Sequence, residues 1–299
     1  MCISNGVAWI RCRVIKQLTS MLFGLFMFTL AMPVGWAEGA PSPLLLAVHP
    51  YLSRDELLHR YTPLADYLAT ELHRPVAVRI GTSYQDHLYH IAHDKVDIAL
   101  LGPATYVNMR QQYGNKPLLS RFAIRGLPFF QGRIVVRKNS KIKTIKDLKS
   151  HLFAFGDPKS TMSHLVPRHM LRSQGVTVSE LAGYAFLGSH HNVALSVLAG
   201  DFDAGAVKDE VYQTFKARGL RLLASTPEIS EHLFAARNNL DPELMEQIRQ
   251  AMFKMSQNQQ GAEILAGIKK HLTALVPVRK QNYDQLADLL NDLADAGIH

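Results

Sequence analysis

Residues 153–168 read FAFGDPKSTMSHLVPR and hold the densest set of groups suited to chemistry in the chain. A short apolar run at 152–155 leads into Gly156-Asp157-Pro158, a turn, after which Ser160, Thr161 and Ser163 stand at the opening of a helical pattern. Hydroxyls beside the unpaired N–H groups of a helix N-terminus form a site for an anion. The helix dipole adds roughly 0.3–1 kcal/mol per charge. Pro167 restricts where the helix starts, because inside a helix it removes a hydrogen bond and clashes, whereas in the first turn it costs little. Ser163 as N-cap puts Pro167 in that turn. The sequence therefore predicts an irregular hydroxyl-rich loop over 160–163 and a regular helix from near His164. A single serine before a helix is ordinarily its cap; three hydroxyls in four residues give an anion cradle equal standing. The segment lacks the Gly-Lys-Ser/Thr of a P-loop and the Gly-x-Ser-x-Gly of a hydrolase elbow.

Other groups carry less. His87, His90 and His93 recur at three-residue steps, and His190-His191 form a pair. Histidines at i, i+3 on a helix ligate metals in some proteins, but His87 and His93 are six apart and far from eclipsed. They read as solvent-facing, and no metal site or cofactor is expected. Asp209 and Glu210 form a carboxylate pair at the end of an apolar run, but no nucleophile or base accompanies them, so an enzyme is not expected. Lys138, Lys141, Lys143, Lys146 and Lys149 lack interleaved aromatics, which argues for a solvated edge and against a nucleic-acid surface.

The elements that must position these groups alternate. Apolar runs at 44–48, 76–80 and 96–101 read as strands, with amphipathic helices between them; Ser53 with Glu56 three residues on marks a capping box before the first helix. The alternation restarts at 132–137 and continues through strands near 152–155, 184–187, 203–207 and 220–224. After a strand at 232–236 the chain turns helical, at 244–255 and 283–294. Two such series predict an α/β protein with parallel sheets in two lobes and a ligand cleft at the carboxyl ends of the strands.

Composition agrees. The 299 residues are 47% hydrophobic and 19% charged, which excludes disordered and fibrous classes. Arg11, Arg13 and Lys16 precede an apolar stretch at 21–34 and then Gly35-Trp36-Ala37, the pattern of a secretory signal cut after Ala37. Cleavage there removes Cys2, Cys12, three basic residues and no acidic one, so the formal charge falls from +8 to +5 and no thiol chemistry remains. Left uncleaved, the same segment would anchor the protein to the membrane. The expected layout is 1–37 signal peptide, 38–137 and 232–299 first lobe, 138–231 second lobe.

GDPKSTMSHLVPRHML resembles the signature loop of the periplasmic phosphate/phosphite/phosphonate-binding proteins, the PhnD-like solute-binding proteins of ABC importers. AVHPYLSRDELLHRYTPLADYL, KVDIALLGPATYV, GSHHNVALSVLAGDFDAGAVKDEVY and TPEISEHLF are similar to further segments of that family, in order along the chain. The resemblance implies a type II periplasmic-binding-protein fold and a monomer that binds a small oxyanion and delivers it to an ABC permease. A periplasmic sensing subunit for a membrane kinase or cyclase is the alternative output, and a metal-binding protein the alternative class. By the same resemblance Ser160 and Thr161 hold phosphoryl oxygens, Tyr84 donates from the first lobe, and His190 faces the same oxygens; Ser163 joins the grip as part of the hydroxyl segment 160–163. Glu210 matches a carboxylate that pairs with the ammonium of aminoalkyl phosphonates. Tyr106, Met162, Asp209, Glu231 and His232 complete the candidates. Met162 replaces a serine of some members, Leu101 an aromatic, and Glu231-His232 stand where a second carboxylate would be.

Overall fold

Short runs of Leu, Val, Ala and Phe with almost no exposed position, such as LLLAV and IALL, make strands covered on both faces. The computed structural model describes residues 42–298, so the expected signal peptide lies outside the described residues. The first part runs β1 (Leu44–Val48), α1 (Arg54–Leu72), β2 (Val76–Ile80), α2 (Tyr84–Ala92), β3 (Ile98–Leu101), α3 (Pro103–Tyr113) and β4 (Leu118–Ile124). The second runs β5 (Phe129–Phe130), β6 (Gly132–Arg137), β7 (Leu152–Phe155), α4 (Val166–Ser173), β8 (Gly183–Phe186), α5 (His190–Ala199), β9 (Ala204–Lys208), α6 (Asp209–Lys216) and β10 (Leu220–Ser225). The return runs β11 (Ile229–Ser230), β12 (Leu233–Ala236), α7 (Pro242–Lys254), α8 (Gln259–Ile268), β13 (Leu272–Val276) and α9 (Asp284–Asp295).

One sheet has six strands in the order β13-β4-β12-β3-β1-β2, and another five in the order β10-β6-β9-β7-β8. β1 is parallel to β2 and β3, and β7 is parallel to β8 and β9. Each sheet has an apolar cluster on either face. Leu57, Leu64 and Leu68 of α1 pack with Ile248 and Leu265 on one side of the larger sheet, and Val107 of α3 with Leu286 and Leu293 of α9 on the other. The smaller sheet lies between Phe153, Phe155 and Leu171 on one face and Val193, Val197 and Phe215 on the other.

The sheets are linked by a two-stranded ribbon in which β5 and β11 run antiparallel, Phe130 opposite Ile229. Beside it, the Gly132 N–H donates to Thr226 Oγ1 and the Gly132 carbonyl accepts from the Thr226 N–H, and a Cβ on Gly132 would stand 2.9 Å from the Met162 carbonyl oxygen, so only glycine fits. β6, which the expected boundary at residue 137 assigns to the first lobe, pairs with β9 and β10 in the smaller sheet. The outward crossing therefore runs through 125–131. The sequence reading also lacks α3, β4, α8 and β13. Gly102-Pro103 ends β3, but proline at the first helical position equally begins α3. Of the Ser53–Glu56 box, half forms: the Ser53 hydroxyl accepts from the Glu56 N–H, while the Glu56 carboxylate pairs with Arg60.

Candidate ligand-binding site

The carboxyl ends of the parallel strands place helix starts from both lobes around one opening. β1 delivers His49, β2 leads to the α2 start at Tyr84, and β3 to the α3 start at Gly102–Ala104. From the other lobe, β7 leads to Ser160 and Thr161, β8 to the α5 start at His190, and β9 to the α6 start at Glu210. Across the gap, the Ala104 N–H donates to Thr161 Oγ1 at 3.3 Å.

The hydroxyl segment is a single π-helical turn, Thr161–Leu165, rather than an irregular loop, and its cap is Ser160, not Ser163. The Ser160 carbonyl accepts from the N–H groups of both His164 and Leu165, and Ser160 Oγ accepts from the Ser163 N–H at 3.1 Å. Pro167 explains the geometry. It has no N–H to give the Ser163 carbonyl four residues back, and the Gly156 N–H fills that role at 3.1 Å. The turn is thereby tied to the end of β7. A Cβ on Gly156 would lie 2.8 Å from Ser163 Cβ and collide with Ser163 Oγ, so glycine is required for that approach. Ser163 Oγ is itself fully buried and has no hydrogen-bond partner among the described residues.

The neighbouring groups are neutral donors. Burial, reinforced by Asp157, pushes the Tyr84 hydroxyl up to about 12, so it keeps its proton. Lys208 N–H donates to His190 Nδ1 at 3.0 Å, which leaves the neutral ring's proton on Nε2. Burial, followed by the charges of Lys208, His191 and Lys269, lowers His190 to about 3. The His49 ring lies tilted at 5.3 Å from Tyr84 and stacked at 6.3 Å from His232, and burial with its histidine neighbours holds it at about 3.

Glu210, Glu231 and Lys269 form a charge cluster beside these groups. Lys269 Nζ lies 3.2 Å from Glu231 Oε1 and 3.8 Å from Glu210 Oε1, and Lys208 Nζ lies 3.0 Å from Glu210 Oε2. Glu231 Oε2 accepts from His232 through both Nδ1 and the backbone N–H. Burial alone would raise the Glu231 carboxyl, but Lys269 and His232 hold it below the ordinary range.

The structure thus brings together Tyr84, Ser160, Thr161, Ser163, His190, Glu210 and His232. It places four other candidates away from a ligand-facing role. Tyr106 is fully buried against Tyr283 at 4.9 Å. Met162 packs into the core under Thr226. Asp209 is paired with Arg133 at 2.6 Å, and Glu231, 1% exposed, has both oxygens engaged. His87 is not solvent-facing: it is completely buried, donating from Nε2 to the Leu100 carbonyl at 2.9 Å. His93 is exposed, and the five lysines from Lys138 to Lys149 lie on the surface. Sequence reasoning missed His49 and Lys269. His49 directly follows β1, where such sites collect; Lys269 follows a helix that the sequence reading does not contain.

Two α/β lobes joined by a paired crossover, with helix starts from both converging on one cleft, define a solute-binding protein of the type II periplasmic fold. The chain belongs to the family described as "ABC transporter, phosphonate, periplasmic substrate-binding protein", whose sequence profile matches residues 46–283. A curated relative, the probable ABC transporter phosphite binding protein PhnD1 of Prochlorococcus marinus (strain MIT 9301), is 27% identical over 237 residues, covering 75% of this chain and 77% of its own. The structure of PhnD1 from Prochlorococcus marinus (MIT 9301) in complex with methylphosphonate superposes with a TM-score of 0.71 at 22% identity, covering 84% of this chain and 98% of that one. XAC2383 from Xanthomonas citri bound to ATP gives a TM-score of 0.74 at 19% identity, with 85% and 98% covered.

Proposed function

We propose that this solute-binding protein takes a tetrahedral phosphorus oxyanion of the phosphate, phosphite or phosphonate type and delivers it to the permease of an ABC importer. The reading rests on one observation above all: neutral donors from both lobes, Tyr84, Thr161 and His190, converge with helix starts at the carboxyl ends of the strands, and Ser163 Oγ is buried two residues from Thr161 with its proton unspent among the described residues. A ring of such donors suits an oxyanion, since hydrogen bonds to a charged acceptor are roughly twice as strong as neutral ones. The curated relative's description as a phosphite binding protein points to the same chemistry. The protein acts by binding and release rather than by catalysis, as a monomer without nucleic acid. It works in the periplasm, free after cleavage at Ala37 or tethered if the segment is retained. Closure of the lobes couples occupancy to docking.

Titration calorimetry with phosphate, phosphite, methylphosphonate and 2-aminoethylphosphonate tests this. At least one ligand is expected to bind, and Thr161→Ala to weaken it by tenfold or more. Absence of heat with all four, or equal binding by Thr161→Ala, would falsify the assignment.

A further inference from the structure

We propose that Lys269 sets the substituent the ligand carries: reaching across the cleft, it neutralises Glu210 and leaves the space beside the oxyanion grip suited to a small uncharged group on phosphorus. The inference rests on the oxyanion reading above and deepens it.

Glu210 sits in the first turn of α6, next along the chain to the strand end whose backbone N–H holds His190. A free carboxylate there would favour a ligand with a cationic tail. Glu210 is not free. Lys208 Nζ stands 3.0 Å from Oε2, and Lys269 Nζ 3.8 Å from Oε1. Lys269 also holds the buried Glu231 at 3.2 Å. Two carboxylates and two ammonium groups thus balance in a partly buried space, where a fifth charge would be desolvated without an unpaired partner. An ammonium tail would have to displace one of the lysines. Hydrogen or methyl on phosphorus makes no such demand.

The two ends of the contact belong to different lobes. Glu210 follows β9 of the five-stranded sheet, whereas Lys269 lies between α8 and β13, against the six-stranded sheet. Selection against a cationic tail is therefore exerted when the lobes come together. In a separated arrangement Lys269 would keep Glu231 and give up Glu210.

The test is calorimetry with phosphite, methylphosphonate and 2-aminoethylphosphonate on the wild type, Lys269→Met and Lys208→Met. The wild type is expected to bind methylphosphonate at least tenfold more tightly than 2-aminoethylphosphonate. Lys269→Met should narrow or invert that ratio by tenfold or more. Lys208→Met should move it the same way while leaving the buried Glu231 paired, and Lys269→Gln, which can still donate to Glu231 without a charge, decides the matter should Lys269→Met fail to fold. A wild-type preference for 2-aminoethylphosphonate, or an unchanged ratio in the folded variants, overturns the role of Lys269 while leaving the oxyanion reading intact. If the wild type binds none of the three, that reading falls and this inference with it.

Discussion

Ser160 and Ser163 are three residues apart, yet replacing each with alanine is expected to change stability in opposite directions. Ser160 Oγ caps the π-turn by accepting the Ser163 N–H at 3.1 Å, so Ser160→Ala should cost about 1 kcal/mol. Ser163 Oγ is buried without a partner among the described residues, and an unsatisfied buried polar group carries a penalty of about 1–3 kcal/mol. Ser163→Ala removes that penalty and leaves only a small void. The ligand-free protein should therefore gain about 1 kcal/mol, or roughly 3 °C in melting temperature for a chain of this size. The same change removes a donor to the proposed oxyanion, and hydrogen bonds to charged groups contribute about 1.5–3 kcal/mol. Affinity for the phosphonate should fall by roughly 10- to 150-fold. Urea melts without ligand, paired with calorimetry, measure both effects. Loss of more than 1 kcal/mol in ligand-free Ser163→Ala would show that the hydroxyl has a structural partner, and unchanged affinity would remove it from the site.

Three further outcomes are expected. Gly156→Ala drives a Cβ into Ser163 and should destabilise by about 1–3 kcal/mol, the usual cost of overpacking; Ser163→Gly in the same chain should restore most of the loss, as melting curves will show. Thr161→Val removes both the acceptor for the Ala104 N–H and a donor to the ligand, so affinity should drop tenfold or more while secondary structure by circular dichroism is unchanged. Acidification should destabilise the ligand-free protein. Burial lowers His49 to about 3 and His87 to about 4, so from pH 6.5 downward the unfolded chain takes up protons that the folded one does not. Each contributes about 2 kcal/mol of loss between pH 6.5 and 5, and a flat urea midpoint across that range would contradict their burial as neutral rings.

Legibility in the sequence followed how local each cause was. β1 falls where its apolar run ends, because a strand covered on both faces writes its own boundary; β2, a half-exposed edge strand, is bounded instead by Pro75 and Gly81. The hydroxyl segment was visible as a cluster, but its shape was not. Pro167 taken alone points to a cap at Ser163, whereas the chain keeps Ser160 as cap and satisfies the orphaned Ser163 carbonyl from Gly156, on another element. His87 looked exposed by spacing and is buried because α2 lies against β3, a packing choice that spacing does not encode. Lys269 carried no signal at all, since its role comes from lying opposite Glu210 on the other lobe.

The Thr161 hydroxyl ties recognition to closure. A hydroxyl has one proton to give and lone pairs to accept with. Here an N–H of the first lobe, from Ala104 at the start of α3, already donates to Thr161 Oγ1. With one lone pair taken it still has its proton to donate, which is what an oxyanion asks of it. A hydroxyl that accepts one bond is polarised to give a stronger second one, so each lobe's approach strengthens the other's grip on the ligand. With the lobes apart, Thr161 would lose the Ala104 N–H, and water would compete for its proton. On the proposed function, the closed arrangement and the bound anion therefore stabilise each other through a single oxygen atom. Glu210, Glu231, Lys208 and Lys269 are already paired with one another and so do not compete for that oxygen.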